Sequence, residues 1–253
     1  RLPSAMPTPA LTVDGAVATL TLQRPEQANR LEPEDLAALQ AHVDAVDADP
    51  AVQVLLLRGQ GRHFCSGFDI GRVGATRVDD FERMVDRVEA ARPVTVAVVH
   101  GGVHGGATDL ALACDFRIGT PAAELGMPAA RLGLHFYRGG LERYVTRLGL
   151  DAAKRLFLTA ERIDAAEMKA IGFLTHLVAA EALDETVDGL AGTVAALAPL
   201  AVQGMKKHLN RIARGTLDAD ALARDIARSI QSADLQEGRA AFAEKRTPRF
   251  RGA

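Results

Sequence analysis

The sequence contains no tryptophan, and aromatic side chains make up only 4% of its 253 residues, as nine phenylalanines and two tyrosines. So sparse a set cannot furnish the row of stacking platforms on which single-stranded nucleic acid is bound. An excess of one charge is also missing. Thirty basic residues are interspersed with 32 acidic ones for a net charge of −2, so no basic stripe suited to nucleic acid or an anionic membrane is expected. Cysteine occurs twice, as Cys65 and Cys114, both among small apolar neighbours. Two are too few for a disulfide framework and fit a reducing compartment. No apolar run approaches the roughly 20 residues of a membrane span, and the N-terminal stretch has no signal-peptide core. A cytoplasmic protein with no membrane partner is the expectation.

What is present is apolar, at 48% of the chain, enough for one large core with a helical appendage. Leu11–Val13 and Ala16–Leu22 flank Asp14-Gly15 and read as a hairpin. Leu36, Leu39, Val43 and Val46 recur at helical spacing behind Pro33, which suits a first helical turn. Val52–Leu57 and Val94–Val99 are continuous apolar runs, as expected of strands covered on both faces, and 78–91 between them is helical. Phe116–Gly119 reads as one more short strand. Beyond it helical patterns dominate: 139–148, 151–158, 164–170, 180–196, 201–214, 217–230 and 233–245, with Asp164 and Glu167 spaced as a capping box. The expected class is α/β, with a core over 1–195 and a C-terminal helical region over 196–253. Apolar residues on that tail need a second subunit or the core itself to cover them.

Two of the strands run into glycine-bearing turns. One is Gly59-Gln60-Gly61-Arg62-His63-Phe64-Cys65-Ser66-Gly67-Phe68, and the other is Gly101-Gly102-Val103-His104-Gly105-Gly106 opening a small-residue helix through Thr108, Asp109 and Leu110–Cys114. Strand–glycine turn–helix aims free N–H groups outward and lets a ligand approach the backbone. Two such donors converging on one oxygen would form an oxyanion hole, while ordinary strand-to-helix turns remain the alternative. A dinucleotide fingerprint is excluded, because the third glycine of G-x-G-x-x-G is absent after both turns. That removes a nicotinamide-dependent oxidoreductase. Cys65 has no matching base nearby in sequence that would make it a nucleophile.

The two turns, Gly61–Ile70 and Val96–Asp115, resemble the two signatures of the crotonase (enoyl-CoA hydratase/isomerase) superfamily. The resemblance extends over Arg24-Pro25-Glu26, Asn29, Gly126-Met127-Pro128, Gly133-Leu134, Gly139-Gly140, Arg143, Gly149 and Glu244–Phe250. It implies a spiral of ββα units with a C-terminal helical trimerisation region, and a homotrimer or a homohexamer made as a dimer of trimers. It also implies an acyl-CoA thioester substrate, with coenzyme A carried as part of it and no metal or other cofactor, and a place in fatty acid metabolism. Matched motif to motif, the thioester oxygen is held by the amides of Phe68 and Gly106. Substrate contacts fall at Arg24, Ala28, Arg30, Ser66, Asp69, Ile70, His104, Gly105, Pro128, Ala129, Leu132 and His135. Lys206, Lys207 and Lys245 are further basic residues that could meet phosphates. The first glutamate of the family's hydratases matches Asp109, taken as general acid/base, and the second matches Ala129, which carries no proton. An enoyl-CoA hydratase-like lyase is the leading expectation. Ala129 keeps alternatives open: an isomerase, decarboxylase or hydrolase working through Tyr137 or a histidine, or a non-catalytic acyl-CoA-binding subunit.

Overall fold

A computed structural model describes residues 7–69, 71 and 78–253. Of the residues singled out above, Ile70 lies outside this set. β1 (Ala10–Asp14) and β2 (Val17–Leu22) form the expected antiparallel hairpin, with Asp14 opposite Val17. The turn centres on Gly15-Ala16 rather than Asp14-Gly15. Gly15 takes φ of 56°, and the first central position of such a hairpin turn needs a positive φ there.

α1 (Pro33–Ala48) buries Leu36, Leu39, Val43 and Val46, the face its spacing predicts, and Pro33 occupies the first turn. It returns the chain to β3 (Val54–Gly59), parallel to β2. The strand begins two residues later than its apolar run, because Val52 N–H closes a turn onto the Asp49 carbonyl at 3.1 Å. α2 (Val78–Glu89) leads to β4 (Val94–Val99), buried along its whole length and parallel to β3. β5 (Val103–His104), α3 (Gly106–Ala113), β6 (Phe116–Gly119) and β7 (Glu124–Gly126) follow. After α4 (Arg138–Leu148) and α5 (Leu150–Thr159) come β8 (Arg162–Asp164), α6 (Ala165–Ala170) and β9 (His176–Leu177). The chain closes with α7 (Leu183–Ala195), α8 (Pro199–Ala213), α9 (Ala219–Ile230) and α10 (Ala233–Glu244).

The strands assemble in the order β1-β2-β3-β4-β6-β9, parallel from β2 onward, and β5-β7-β8 form a second small sheet. The apolar runs of β3 and β4 have a direct cause. Leu55, Leu57, Ala97 and Val99 pack into the main core with α1, α2 and α3. Val54, Leu56, Val94, Val96 and Val98 face the other way, against Leu183, Val187, Ala191 and Val194 of α7. β5, β7, β8 and β9 are two or three residues long, too short to carry a periodicity, and escape a reading of pattern alone. Asp164 caps α6 by accepting from Glu167 N–H at 2.9 Å, but the Glu167 carboxylate pairs with Arg155 instead of reaching back, so half of the expected box forms.

No single helix among the described residues is long and apolar enough to cross a membrane. Both cysteines are free and buried, and burial pushes each thiol up to about 12. At pH 8 only about one thiol in ten thousand would be ionised. The native protein should therefore leave both cysteines unmodified by a thiol-specific disulfide reagent at pH 8, and denaturant should release two; rapid labelling of the native chain would contradict the buried placement.

Candidate active site

β3 and β4 run side by side in parallel and release their following segments at the same edge of the sheet. There the two segments zip together through the backbone. Phe64 and Cys65 N–H donate to the Gly102 carbonyl at 3.0 and 3.3 Å, and His104 N–H donates to the Cys65 carbonyl at 3.0 Å. Asn29 pins the first segment from the other side. Its Nδ2 reaches the carbonyls of Gln60, His63 and Phe64 at 2.8, 2.9 and 3.2 Å, while its Oδ1 accepts from Arg24 N–H at 3.0 Å. Consecutive left-handed residues, Ala28 (φ 50°) and Asn29 (φ 54°), aim that side chain.

Leu31 pairs with Phe68 as one rung of a parallel ladder: Leu31 N–H donates to the Gly67 carbonyl at 2.8 Å and Asp69 N–H to the Leu31 carbonyl at 2.9 Å. Since successive amides in extended chain alternate sides, the Phe68 N–H faces away from Leu31. On that side lies Gly106. A Cβ on Gly67, whose φ is +94°, would stand 2.8 Å from the His104 carbonyl oxygen and 3.1 Å from the Gly106 nitrogen. Only glycine permits this approach, and it makes the Phe68 and Gly106 amides neighbours. Gly106 is the first residue of α3, so its N–H has no intrahelical acceptor. Neither amide has an acceptor among the described residues. The ring of Phe81, from α2, covers Gly106 closely enough that a Cβ there would meet its Cζ at 2.6 Å. Phe68, Phe81, Tyr137 and Phe136 continue as a run of contacting rings with centroids 5.7, 5.8 and 4.4 Å apart.

One turn into α3, Asp109 is 0% exposed and both of its oxygens are engaged. Arg143 of α4 grips it bidentately, Nε to Oδ1 and Nη2 to Oδ2 at 2.7 Å each, and the Tyr137 hydroxyl donates to Oδ2 at 2.5 Å. Arg143 is equally enclosed, and its Nη1 reaches Asp86 and Glu89 of α2 at 2.6 and 3.2 Å. Burial alone would lower its pKa, but the carboxylates around it, Asp109 first, outweigh burial and hold its charge above the ordinary arginine value. Burial, with the negative charge of Asp109 adding to it, raises the Tyr137 phenol well above 10. Tyr137 thus stays a neutral hydroxyl that gives its proton to Asp109 and keeps its lone pairs for another partner. Asp109 was expected as the acid/base; the structure encloses it in an ion pair, with Tyr137 in front of it.

The other expected contacts divide. Ser66 and Gly105 flank the amide pair, their positions fixed by Ser66 N–H to the Ala28 carbonyl at 2.9 Å and Gly105 N–H to the Gly126 carbonyl at 2.9 Å. Pro128 precedes the 3-10 turn Ala129–Leu132, in which Ala129 is buried while Leu132 is exposed. His135 is exposed and its Nδ1 lies 2.8 Å from the Phe136 carbonyl. Arg24 is turned inward, spent on an ion pair with buried Asp35, where a phosphate contact was expected. Arg30 keeps solvent access beside Glu32 and Asp69, at 3.0 and 3.6 Å. His104 points to the second sheet, packing on Gly102 and Gly126 with Glu124 at 4.0 Å, and burial lowers its pKa. Lys206 donates to the Pro93 carbonyl at 2.6 Å, at the start of β4 and so at the far end of the sheet from the amide pair. Arg143, Phe81 and Asn29 were not singled out as site residues from sequence. The usable signal was Asp109 itself: a carboxylate inside an otherwise apolar helix must find a cation, though spacing cannot say which.

Comparison with known proteins bears on the whole chain. Residues 12–253 match the family model for enoyl-CoA hydratase/isomerase. The chain is 30% identical to an (E)-benzylidenesuccinyl-CoA hydratase from Thauera aromatica, over 96% of this chain and 98% of that protein. It is 32% identical to a crotonyl-CoA hydratase from Syntrophomonas wolfei, over 92% and 94%. An enoyl-CoA hydratase crystal structure from Bacillus anthracis superposes with a TM-score of 0.90 at 29% identity, covering 98% of this chain and all of that one (100%). With the fold, the paired turns and the full-length matches in agreement, the chain belongs to the enoyl-CoA hydratase/isomerase family and adopts the crotonase fold.

Proposed function

We propose that the protein acts on an acyl-CoA thioester whose carbonyl oxygen is held by the amides of Phe68 and Gly106 while negative charge develops on it. The observation that carries this reading is the pair of neighbouring amides without acceptors, forced together at Gly67 and placed at the start of α3. Two fixed donors and a helix N-terminus aimed at an enolate oxygen stabilise it without reorganising, a contribution of a few kcal/mol. Tyr137 offers its lone pairs to the water that serves the reacting carbon, and Asp109 with Arg143 positions it. Arg30 is the candidate for a phosphate of the coenzyme A portion, and Ser66, Gly105, Pro128 and Ala129 line the approach. The step draws on no resident metal or redox group.

Within this scheme the names of the relatives support a hydratase-like lyase, in which water adds across the double bond and Cα receives a proton. A second reading rests on a specific observation: Ala129 offers no carboxylate and that of Asp109 is occupied, so neither position presents a free base. Decarboxylation needs none. The bond from Cα to a carboxylate breaks, carbon dioxide leaves, and the electron pair of that bond enters the thioester enolate. A water hydrogen-bonded to a free lone pair of the Tyr137 oxygen gives a proton to Cα, its hydroxide leaving to solvent. Crotonyl-CoA hydration, 3-enoyl-CoA isomerisation and methylmalonyl-CoA decarboxylation, assayed side by side, separate these readings; binding of acyl-CoA with no turnover of any would make the chain a binding subunit.

We also place the protein in the cytoplasm and assign residues 196–253 to assembly as a homotrimer or homohexamer. Met205, Leu209 and Ile212 form an exposed apolar stripe on α8, Ile226 and Ile230 another on α9, and Phe242 of α10 is 87% exposed. Light scattering on the purified protein should give three or six times the 26.8 kDa chain mass, and a monomer at micromolar concentration would refute the assignment.

The amide pair can be tested by comparing Gly106→Pro with Gly106→Ala. Both add a Cβ against Phe81, and proline suits the first position of a helix, but only proline removes the N–H. Gly106→Pro should fall below Gly106→Ala by about 10²–10³ in kcat; equal rates would remove Gly106 from the reaction. Tyr137→Phe should lower kcat by about 10–10³ with KM and melting temperature little changed. Because burial and Asp109 raise the phenol's pKa, wild-type kcat should show no alkaline decline between pH 6 and 9 that Tyr137→Phe abolishes. Asp109→Asn should instead cost about 3–5 kcal/mol in urea denaturation, since it strands the Arg143 charge in the interior.

A further inference from the structure

We propose that a cavity at the opposite end of the sheet, between the end of α2 and helices α8 and α9, binds a compact polyanion such as a phosphorylated small molecule. The cavity is about 440 Å³, within the range that holds small organic ligands. It opens beside Glu89–Arg92, where the chain enters β4, whereas the amide pair lies past the far end of that strand. A strand of this length separates the two by roughly 20 Å. The inference therefore does not depend on the acyl-CoA reading.

The carboxylates that line the cavity are already neutralised. Glu89 is shared by three arginines, Arg143, Arg147 and Arg214, at 3.2, 3.3 and 2.8 Å. Asp225 is held by Lys207 and by His208 Nε2, the latter at 2.8 Å. Several lining cations are not neutralised in the same way. Arg211 and Arg228 have no carboxylate within ion-pair distance among the described residues. Arg92 spends its Nε and Nη2 on the carbonyls of Val46, Asp47, Asp49 and Val52, and its charge likewise meets no carboxylate. Three guanidinium groups thus line one concave space without a carboxylate in ion-pair contact among the described residues, with Asp218 offsetting part of the Arg211 charge from farther away. Guanidinium is the group whose planar fork matches phosphate oxygens two at a time. A ligand of two or more negative charges fits that lining better than a monoanion, and an apolar ligand would leave it desolvated and unpaired.

Inorganic pyrophosphate is the probe, titrated calorimetrically into the full-length protein at low ionic strength. Saturable binding is expected, weakened at least about tenfold in the double variant Arg211→Gln/Arg228→Gln. That variant should melt with wild-type protein and turn over acyl-CoA substrate at the wild-type rate. Binding should also persist when crotonyl-CoA saturates the active site. Absence of saturable heat, unaltered affinity in the double variant, or displacement of pyrophosphate by crotonyl-CoA would each overturn the proposal, the last by showing the anion to occupy the coenzyme A phosphate position.

Discussion

Two backbone segments meet at Gly67 with less space than a methyl group needs, and the arrangement around the candidate site follows from that approach. The His104 carbonyl and the Gly106 nitrogen both lie where a Gly67 Cβ would stand. The closeness is enforced from outside by the ladder between residues 64–65 and 102–104 and by the three carbonyls gathered on Asn29. Backbone polar groups on these segments that did not pair with one another would be left unsatisfied beneath the surface, which is why the zipper and the cap on it form together. The Phe68 and Gly106 amides, by contrast, are left over. One points away from its ladder partner, and the other begins a helix. Such leftover donors are costly unless something with an oxygen occupies the space in front of them.

Beneath this surface runs a second system, made of charge. Asp109, Arg143, Asp86, Glu89, Arg214 and Glu142 form a connected set of ion pairs that joins α2, α3, α4 and the end of α8. Two carboxylate–arginine contacts at 2.7 Å in the interior are supported by further partners on both sides, Asp86 and Glu89 on Arg143 Nη1 and the Tyr137 hydroxyl on Asp109 Oδ2. Asp109 is one methylene shorter than the glutamate that the family's signature leads one to expect at its position. In this chain the short side chain is drawn back onto Arg143, and Tyr137 comes to stand over it.

The legible part of the molecule was the part with a period or with motif glycines. α1 declared its buried face through Leu36, Leu39, Val43 and Val46, and β3 and β4 declared themselves as strands covered on both sides. The short strands β5, β7, β8 and β9 carry too few residues for any pattern; β9 takes the free edge of β6, and β5, β7 and β8 are strands only because the fold brings them against one another. At the site, the order of the two glycine turns pointed to Phe68 and Gly106, and the same motif matching led to Arg24 as a phosphate contact. Arg24 faces inward because Asp35, in the first turn of α1, needs a buried counter-charge. No spacing rule distinguishes an arginine that binds a ligand from one that satisfies a neighbour.

The sequence by itself determined the α/β class, the two glycine turns and their place after buried strands, and the family, because local propensity, apolar period and motif order are all written along the chain. The tertiary structure decided what each charged or aromatic residue does. Asp109 became a buried anchor, Tyr137 its partner and Phe81 the cover over Gly106 through contacts between residues 25 or more positions apart. Hydrogen bonds and ion pairs depend on distances of about 3 Å, and only the packed fold sets those distances.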